Sequence, residues 1–330
     1  FISGASVDKP AGAGQVNAGI SSVKLKIQRL TGETSTYFGG ASGSDWYTDE
    51  TFISTSPGWG YSSMPTWAHN TRYVISAKGL DAIGNLETAF DTSVDSRTVI
   101  FDLLNPTATV TNPAGGGYLN AGQAVIYGTA SDAPAGISSV WVAISSNAAD
   151  KNDTAWYSVS ADTFTSAYSD AVYDSTDNYS GGNWEWNRPG NYLMQTNRQY
   201  VVRVKAKDKV NREQYYDYTF TYDSAPPVAY ISNPSNDAYK NAQFTVSGTA
   251  SDFGSSVSTV QVQIEELGTG CYNGTDFAGA CPIFRIAGGA GPTNWSMSVT
   301  FNDNKRYVVV ARASDTASNV QNTFGLGTSS

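Results

Sequence analysis

Gly128-Thr129-Ala130-Ser131-Asp132 returns as Gly248-Thr249-Ala250-Ser251-Asp252, 120 residues later. A degenerate copy, Ile2-Ser3-Gly4-Ala5-Ser6-Val7-Asp8, opens the chain. Four further blocks recur in the same order. Val23-Lys24-Leu25-Lys26-Ile27, Val140-Trp141-Val142-Ala143-Ile144 and Val260-Gln261-Val262-Gln263-Ile264 form the second. The third starts at Tyr73, Tyr200 and Tyr307 and reaches Asp81, Asp208 and Asp315 eight residues on. Phe101-Asp102 leading to Pro106 matches Tyr222-Asp223 leading to Pro227, and Thr111-Asn112-Pro113 matches Ser232-Asn233-Pro234, both pairs 121 apart. Blocks kept in one order at one spacing mean a module copied in tandem.

Each block reads as a strand. Val260, Val262 and Ile264 face one way and Gln261 and Gln263 the other, the period of two that marks a half-buried strand. Tyr200, Val202, Val204 and Ala206 are expected inward, with Arg203, Lys205 and Lys207 toward water. Turn-rich stretches separate the blocks and no helical period intervenes, so the strands are expected to pack as sandwiches.

Composition agrees. Of 330 residues only 15% are charged, while 32 Gly and 20 Tyr favour turns and strands over helices. A hydrophobic share of 40% supplies a core. No apolar run reaches the roughly 18–20 residues of a membrane helix. The net charge of −9 argues against nucleic acid as a partner. One His and two Cys leave little material for the common catalytic and zinc chemistries. His69, the one His, lies in a loop just before the Tyr73 strand with no partner motif. No phosphate-binding or dinucleotide fingerprint occurs, and no carboxylate pair has a glycosidase context.

The "GTASD" strand end, the "SSV-x-V-x-I" strand and the "Y-x-V-x-A-x-D" strand followed by "GN", "VN" or "SN" make each unit resemble a bacterial Ig-like domain of the kind found in tandem on extracellular proteins. The resemblance covers nearly the whole chain and implies an all-β protein of about three tandem Ig-like β-sandwiches. Domain one spans 1–102, domain two 103–223 and domain three 224–330. "GTASD" then ends strand B, "SSV" starts strand C, and Tyr73, Tyr200 and Tyr307 stand at the tyrosine corner of strand F. Ile75, Val202 and Val309 fill the space of the antibody bridge. Strand A of domain two is expected near Thr107–Thr111. The first domain is expected to lack strand A and the last strand G, either as an excerpt of a longer array or as sandwiches completed by strands of neighbouring chains.

In that fold Asp102, Asp132 and Asp208 gather at one module junction, and Asp223, Asp252 and Asp315 at the next. Three carboxylates at a short linker are a candidate calcium site, to which Asn211 and Asn319 could add ligands; the alternative is that each Asp accepts local N–H bonds in a turn. Asp8 and Asp81 repeat the pair without a linker partner. No other cofactor is required. Pro226-Pro227 stiffens the second linker. Cys271 and Cys281 flank a Gly- and Asn-rich loop and read as a disulfide of an oxidising compartment, the alternative being a pair of free buried thiols. The segments between strands C and F are rich in aromatics; Tyr179, Trp184 and Trp186 are candidate sugar-stacking residues, or they pack the loops onto the sheet. Asp174 to Asn187 is the expected exposed tip. Asn152, Asn178, Asn273 and Asn294 match the glycosylation pattern at near-chance frequency.

These readings converge on a secreted or cell-surface structural repeat protein: a stalk, filament or surface-layer element with no enzymatic activity. Its partners would be copies of itself or neighbouring repeats. The alternatives are an adhesin or carbohydrate-binding segment that contacts a glycan or other cell-surface ligand, and a non-catalytic region of a larger extracellular enzyme.

Overall fold

The computed structural model describes residues 1–8, 17–32, 34–41, 45–88, 94–120, 125–147, 149, 155–187 and 194–324; Asn152 lies outside them. Strands dominate, and among the described residues the one helical element is a 3₁₀ turn at Asp170–Val172. Contacts divide the chain into two compact units. The first comprises Phe1–Pro106 with Asp132–Ser138 and Asp208–Arg212, and the second the remainder.

The first unit contains β1 (Ile2–Ser3), β2 (Ile20–Thr31), β3 (Thr34–Phe38), β4 (Trp46–Tyr47), β5 (Ile53–Thr55), β6 (Gly60–Tyr61), β7 (Thr71–Asp81) and β8 (Ser96–Phe101). One sheet runs β4-β3-β2-β7-β8, with β5 added on β2, and a second pairs β1 with β6. Alternation along β2 buries Val23, Leu25 and Ile27 against Phe38 and Trp59.

Repeat two, which falls in the second unit apart from Asp132–Ser138 and Asp208–Arg212, continues with β9 (Thr107–Asn112), β10 (Tyr118–Leu119), β11 (Val125–Ser131), β12 (Ile137–Ser145), β13 (Trp156–Ser158), β14 (Thr163–Ser166), β15 (Asp174–Ser175), β16 (Asn178–Ser180), β17 (Asn183–Asn187), β18 (Arg198–Asp208) and β19 (Glu213–Tyr222). These build one sheet in the order β10-β19-β18-β12-β13-β14 and another in the order β16-β17-β11-β9. The last repeat supplies β20 (Val228–Asn233), β21 (Thr245–Ser251), β22 (Val257–Glu266), β23 (Gly270–Cys271), β24 (Arg285–Ile286), β25 (Gly288–Gly291), β26 (Asn294–Ser298) and β27 (Tyr307–Asp315). Its sheets run β20-β21-β26-β25 and β23-β22-β24, with β27 along β22. Val260, Val262 and Ile264 of β22 meet Val246, Trp295 and Ala311 in one core.

Two recurring contacts explain the repeated letters. A Cβ on Gly128 would overlap the Thr109 carbonyl and the Trp184 indole; on Gly248 it would overlap the Tyr230 carbonyl and Trp295. Glycine is therefore required where strand B passes between its neighbour's backbone and the buried tryptophan. Each indole then donates one residue further on, Trp184 to Thr129 O (3.0 Å) and Trp295 to Thr249 O (3.2 Å). The tyrosine corner also recurs: Tyr73, Tyr200 and Tyr307 accept the N–H of Ala68, Gln195 and Asn302, each five residues upstream. Each is preceded by an asparagine with positive φ, at Asn70 (52°), Asn197 (64°) and Asn304 (54°). The left-handed turn into the strand suits Asn.

The structure departs from expectation in two places. Lys205 is 9% exposed rather than turned to water. Its ammonium lies 4.6 Å from the Tyr173 ring and 4.9 Å from Trp141, and Arg203 sits over Tyr168 while pairing with Asp217. The segment after β12 folds over the outer sheet face and makes a second small core of Ala143, Trp156, Val172 and Val201. Aromatic faces attract these cations, so the strand keeps its charges under cover. The stretch Asp174 to Asn187 is exposed at most positions, as expected, but it is not a loop: it forms β15, β16 and β17 and turns Trp184 and Trp186 into the core. Ile75 and Val309 pack against their cores half-buried, and Val202 is fully buried, in line with the place expected for them.

Cys271 and Cys281 are bonded across ten residues. A loop of that length supplies about 2–3 kcal/mol in the chain-entropy account. Beside it, Glu266 is buried and accepts from Thr269, Asn302 and Tyr307, with Lys305 at 3.4 Å. The Thr269 and Asn302 hydrogen bonds lead in holding its carboxyl at about 2, below the ordinary 4.5.

Two outcomes follow from this packing. Gly248→Ala should lower unfolding free energy by about 3 kcal/mol or more, because the added carbon meets rigid backbone; denaturant melts measure it. The stability from ionised Glu266 is complete above pH 4.5 and lost as pH falls through about 2, so Glu266→Gln should flatten the acid limb of a pH-melting series over that window.

Candidate metal centres

The aspartate that ends each strand F has a local task. Asp81 Oδ1 accepts the N–H of Ile83 (3.0 Å) and Asn85 (2.7 Å). Asp208 Oδ1 accepts from Val210 and Arg212, both at 2.8 Å, and Asp315 Oδ1 from Asn319 at 2.8 Å. These carboxylates close the turn after strand F, as the local-turn alternative expected. The second oxygen differs among repeats. Asn85 donates its amide to Asp81 Oδ2 (2.7 Å) and Asn319 to Asp315 Oδ2 (3.0 Å). Repeat two has Arg212 at that place, and Asp208 Oδ2 is buried without a hydrogen-bond partner.

Within the first unit, one oxygen each from Asp102, Asp132 and Asp208 lies within 4.8 Å of the others. Asp102 follows β8 and accepts the N–H of Leu104 (3.2 Å) and Ala135 (3.0 Å); Asp132 accepts from Gly136 (2.9 Å). Burial works against the Asp102 charge, but the Ala135 and Leu104 N–H groups hold its carboxyl below the ordinary range. Burial and then the hydrogen bond with Asp102 push Asp132 up. The His69 ring borders this group: Nδ1 accepts the Leu103 N–H (3.1 Å) and stands 3.4 Å from Asp102 Oδ1.

Within the second unit, Asp223, Asp252 and Asp315 offer oxygens inside the same 4.8 Å limit. Asp223 is fully buried; its Oδ1 accepts from Thr196 Oγ1 (3.2 Å) and the Ala225 N–H (3.1 Å), and its Oδ2 has no partner. Asp252 accepts from the N–H and hydroxyl of Ser255 (2.7 and 3.1 Å). The Asn319 amide bridges Asp315 Oδ2 and the Asp223 carbonyl (2.9 Å). Gly254 lets the loop after Asp252 press against Asp223 and Asn197, where a side chain would collide.

Among the described residues, no Lys or Arg forms an ion pair with any of the six aspartates. Three ionised carboxylates at this separation repel by about 3–4 kcal/mol per pair at an effective dielectric of about 20. Oxygen-only donors suit a hard divalent cation, and irregular loops suit calcium better than magnesium's strict octahedron. A third acidic group, Glu265 with Cys271 and Cys281, offers no thiolate because the sulfurs are bonded. Asn211 is a turn residue with positive φ whose N–H donates to the Asp208 carbonyl (3.3 Å). Thr196 and Asn197 were not singled out from sequence; the Asn three residues before each strand-F Tyr was the available signal.

The candidate sugar-stacking tryptophans are core residues. Trp184 and Trp186 are each 1% exposed and bonded through Nε1, Trp186 to Asp174 (2.8 Å), so neither offers a free ring face. Tyr179 remains 37% exposed on the β16 edge.

No protein-family model matches the chain, and no curated protein matches it. Similar solved structures include fibronectin(III)-like modules of Clostridium thermocellum CbhA, 14% identical over 66% of this chain and 90% of that one, with a TM-score of 0.36. A bacterial ice-binding adhesin is 15% identical over 93% of this chain and 85% of that one, at 0.34. The tetra-tandem repeat from the extending region of a large adhesion protein is 16% identical over 92% and 65%, at 0.29.

Proposed function

We propose that the chain is a structural segment of a secreted or cell-surface protein, built by stacking Ig-like modules whose linkers are held by calcium. The observation that carries this reading is the buried, unpartnered Oδ2 of Asp208 and of Asp223, each set in an acidic triad that recurs along the chain. A carboxylate oxygen left in that state costs free energy unless a cation or proton satisfies it. Asp102, Asp132 and Asp208 would hold one ion, and Asp223, Asp252 and Asp315 the other. Each ion would join the residue that closes one repeat to two loops of the next, stiffening linkers 103–106 and 224–227. A disulfide within the last repeat supports an oxidising compartment.

Calorimetric titration with CaCl2 should give two sites per chain. Saturation at 100 times Kd should stabilise the ion-holding modules by about 2.7 kcal/mol. Asp208→Asn and Asp223→Asn should each remove one site, and calcium should slow proteolysis within 103–106 and 224–227. Absence of heat, thermal shift and protection at millimolar calcium would overturn the reading.

A further inference from the structure

The β16-β17-β11-β9 sheet of repeat two has an outer face that its core does not need. Strand alternation sends Val110, Ile126, Trp184 and Trp186 inward, and leaves Thr109, Thr111, Tyr127, Thr129, Asn183 and Glu185 on the opposite side. Two rows cross the sheet. Tyr127 stands directly opposite Glu185, which stands opposite Asn178; Thr109, Thr129, Asn183 and Ser180 form the second row. A bulge where β9 meets Tyr127 leaves Thr111 out of register and bends the strand. Over these rows lies a solvent-open groove of about 420 Å³, lined by members of both together with Thr111, Gly128 and Trp184.

Around this cavity some side chains are engaged and others are not. The hydroxyls of Thr109 and Thr129 pair at 2.7 Å. Among the described residues, no side-chain hydrogen bond engages Tyr127, Asn178, Asn183 or Glu185. Tyr127 is 45% exposed. The lining holds the exposed Tyr127 ring beside the buried Trp184, two amides, hydroxyls and one carboxylate, with no Lys or Arg. A ring pairs with the C–H face of a sugar, while amides and a carboxylate meet its hydroxyls. The lone carboxylate disfavours an anionic ligand.

Repeat three shows that the fold does not demand these residues. Gly128 and Trp184 correspond to Gly248 and Trp295, so Tyr127 and Glu185 correspond to Ser247 and Ser296, paired on the same sheet face. The ring and the carboxylate belong to repeat two alone of this pair.

We propose that this face of repeat two binds a neutral glycan, with Tyr127 stacking on a sugar ring and Glu185, Asn178 and Asn183 bonding its hydroxyls. The site is independent of the acidic triads. The test applies the full chain to an array of neutral, sialylated and sulfated oligosaccharides, then titrates the best neutral hit. Neutral glycans should be retained, and Tyr127→Ser with Glu185→Ser should weaken them at least tenfold. That double change installs the residues repeat three already tolerates, and an unchanged melting temperature verifies the fold. Ser247→Ala should leave binding intact. Retention of anionic glycans only, no retained glycan, or neutral binding unmoved by the double variant would overturn the proposal.

Discussion

Three carboxylates gathered within 4.8 Å, two of each three buried, repel one another, and the linker geometry turns on how that repulsion is met. One oxygen of the strand-F aspartate is committed to closing its own turn, so it cannot swing away. The linker aspartate is pinned by N–H groups of the residues that follow it. The aspartate after strand B is held by its own loop. The backbone thus fixes the carboxylates at a separation where a cation or a shared proton would relieve their repulsion.

The same economy governs the sheets. A glycine in strand B lets a tryptophan of the facing strand lie against bare backbone, and the indole then satisfies a carbonyl on that strand. Where the sheet would expose a row of cations, aromatic side chains of the segment after strand C cover them. In the first unit Lys26 lies 5.6 Å from the Phe52 ring and pairs with Glu50 at 2.6 Å. In the last repeat Arg312 stands 3.9 Å from Phe284. Long insertions thereby become a third layer on the sheet.

Much of this was legible because the deciding residues act locally. A glycine between two hydrophobic strands, a Tyr eight residues before an Asp, and an alternating Val-x-Val-x-Ile run each state a backbone requirement within a few positions. The triads could be read because their members recur at matching places in successive repeats. What escaped reading depends on partners far apart in sequence. Nothing near Lys205 announces Tyr173, and nothing near Asp223 announces Thr196. Asn183-Trp184-Glu185-Trp186-Asn187 did carry a strand's alternation, yet its polar neighbours and nearby glycines resemble a loop tip. Reading the period first would have sent both indoles to the core.

We propose that cations complete the two triads. Crystals grown or soaked with a lanthanide, a calcium mimic with strong anomalous scattering, test it most directly. One anomalous peak is expected among Asp102, Asp132 and Asp208 and another among Asp223, Asp252 and Asp315. Peaks confined to exposed surface carboxylates, with both triads empty, would contradict it.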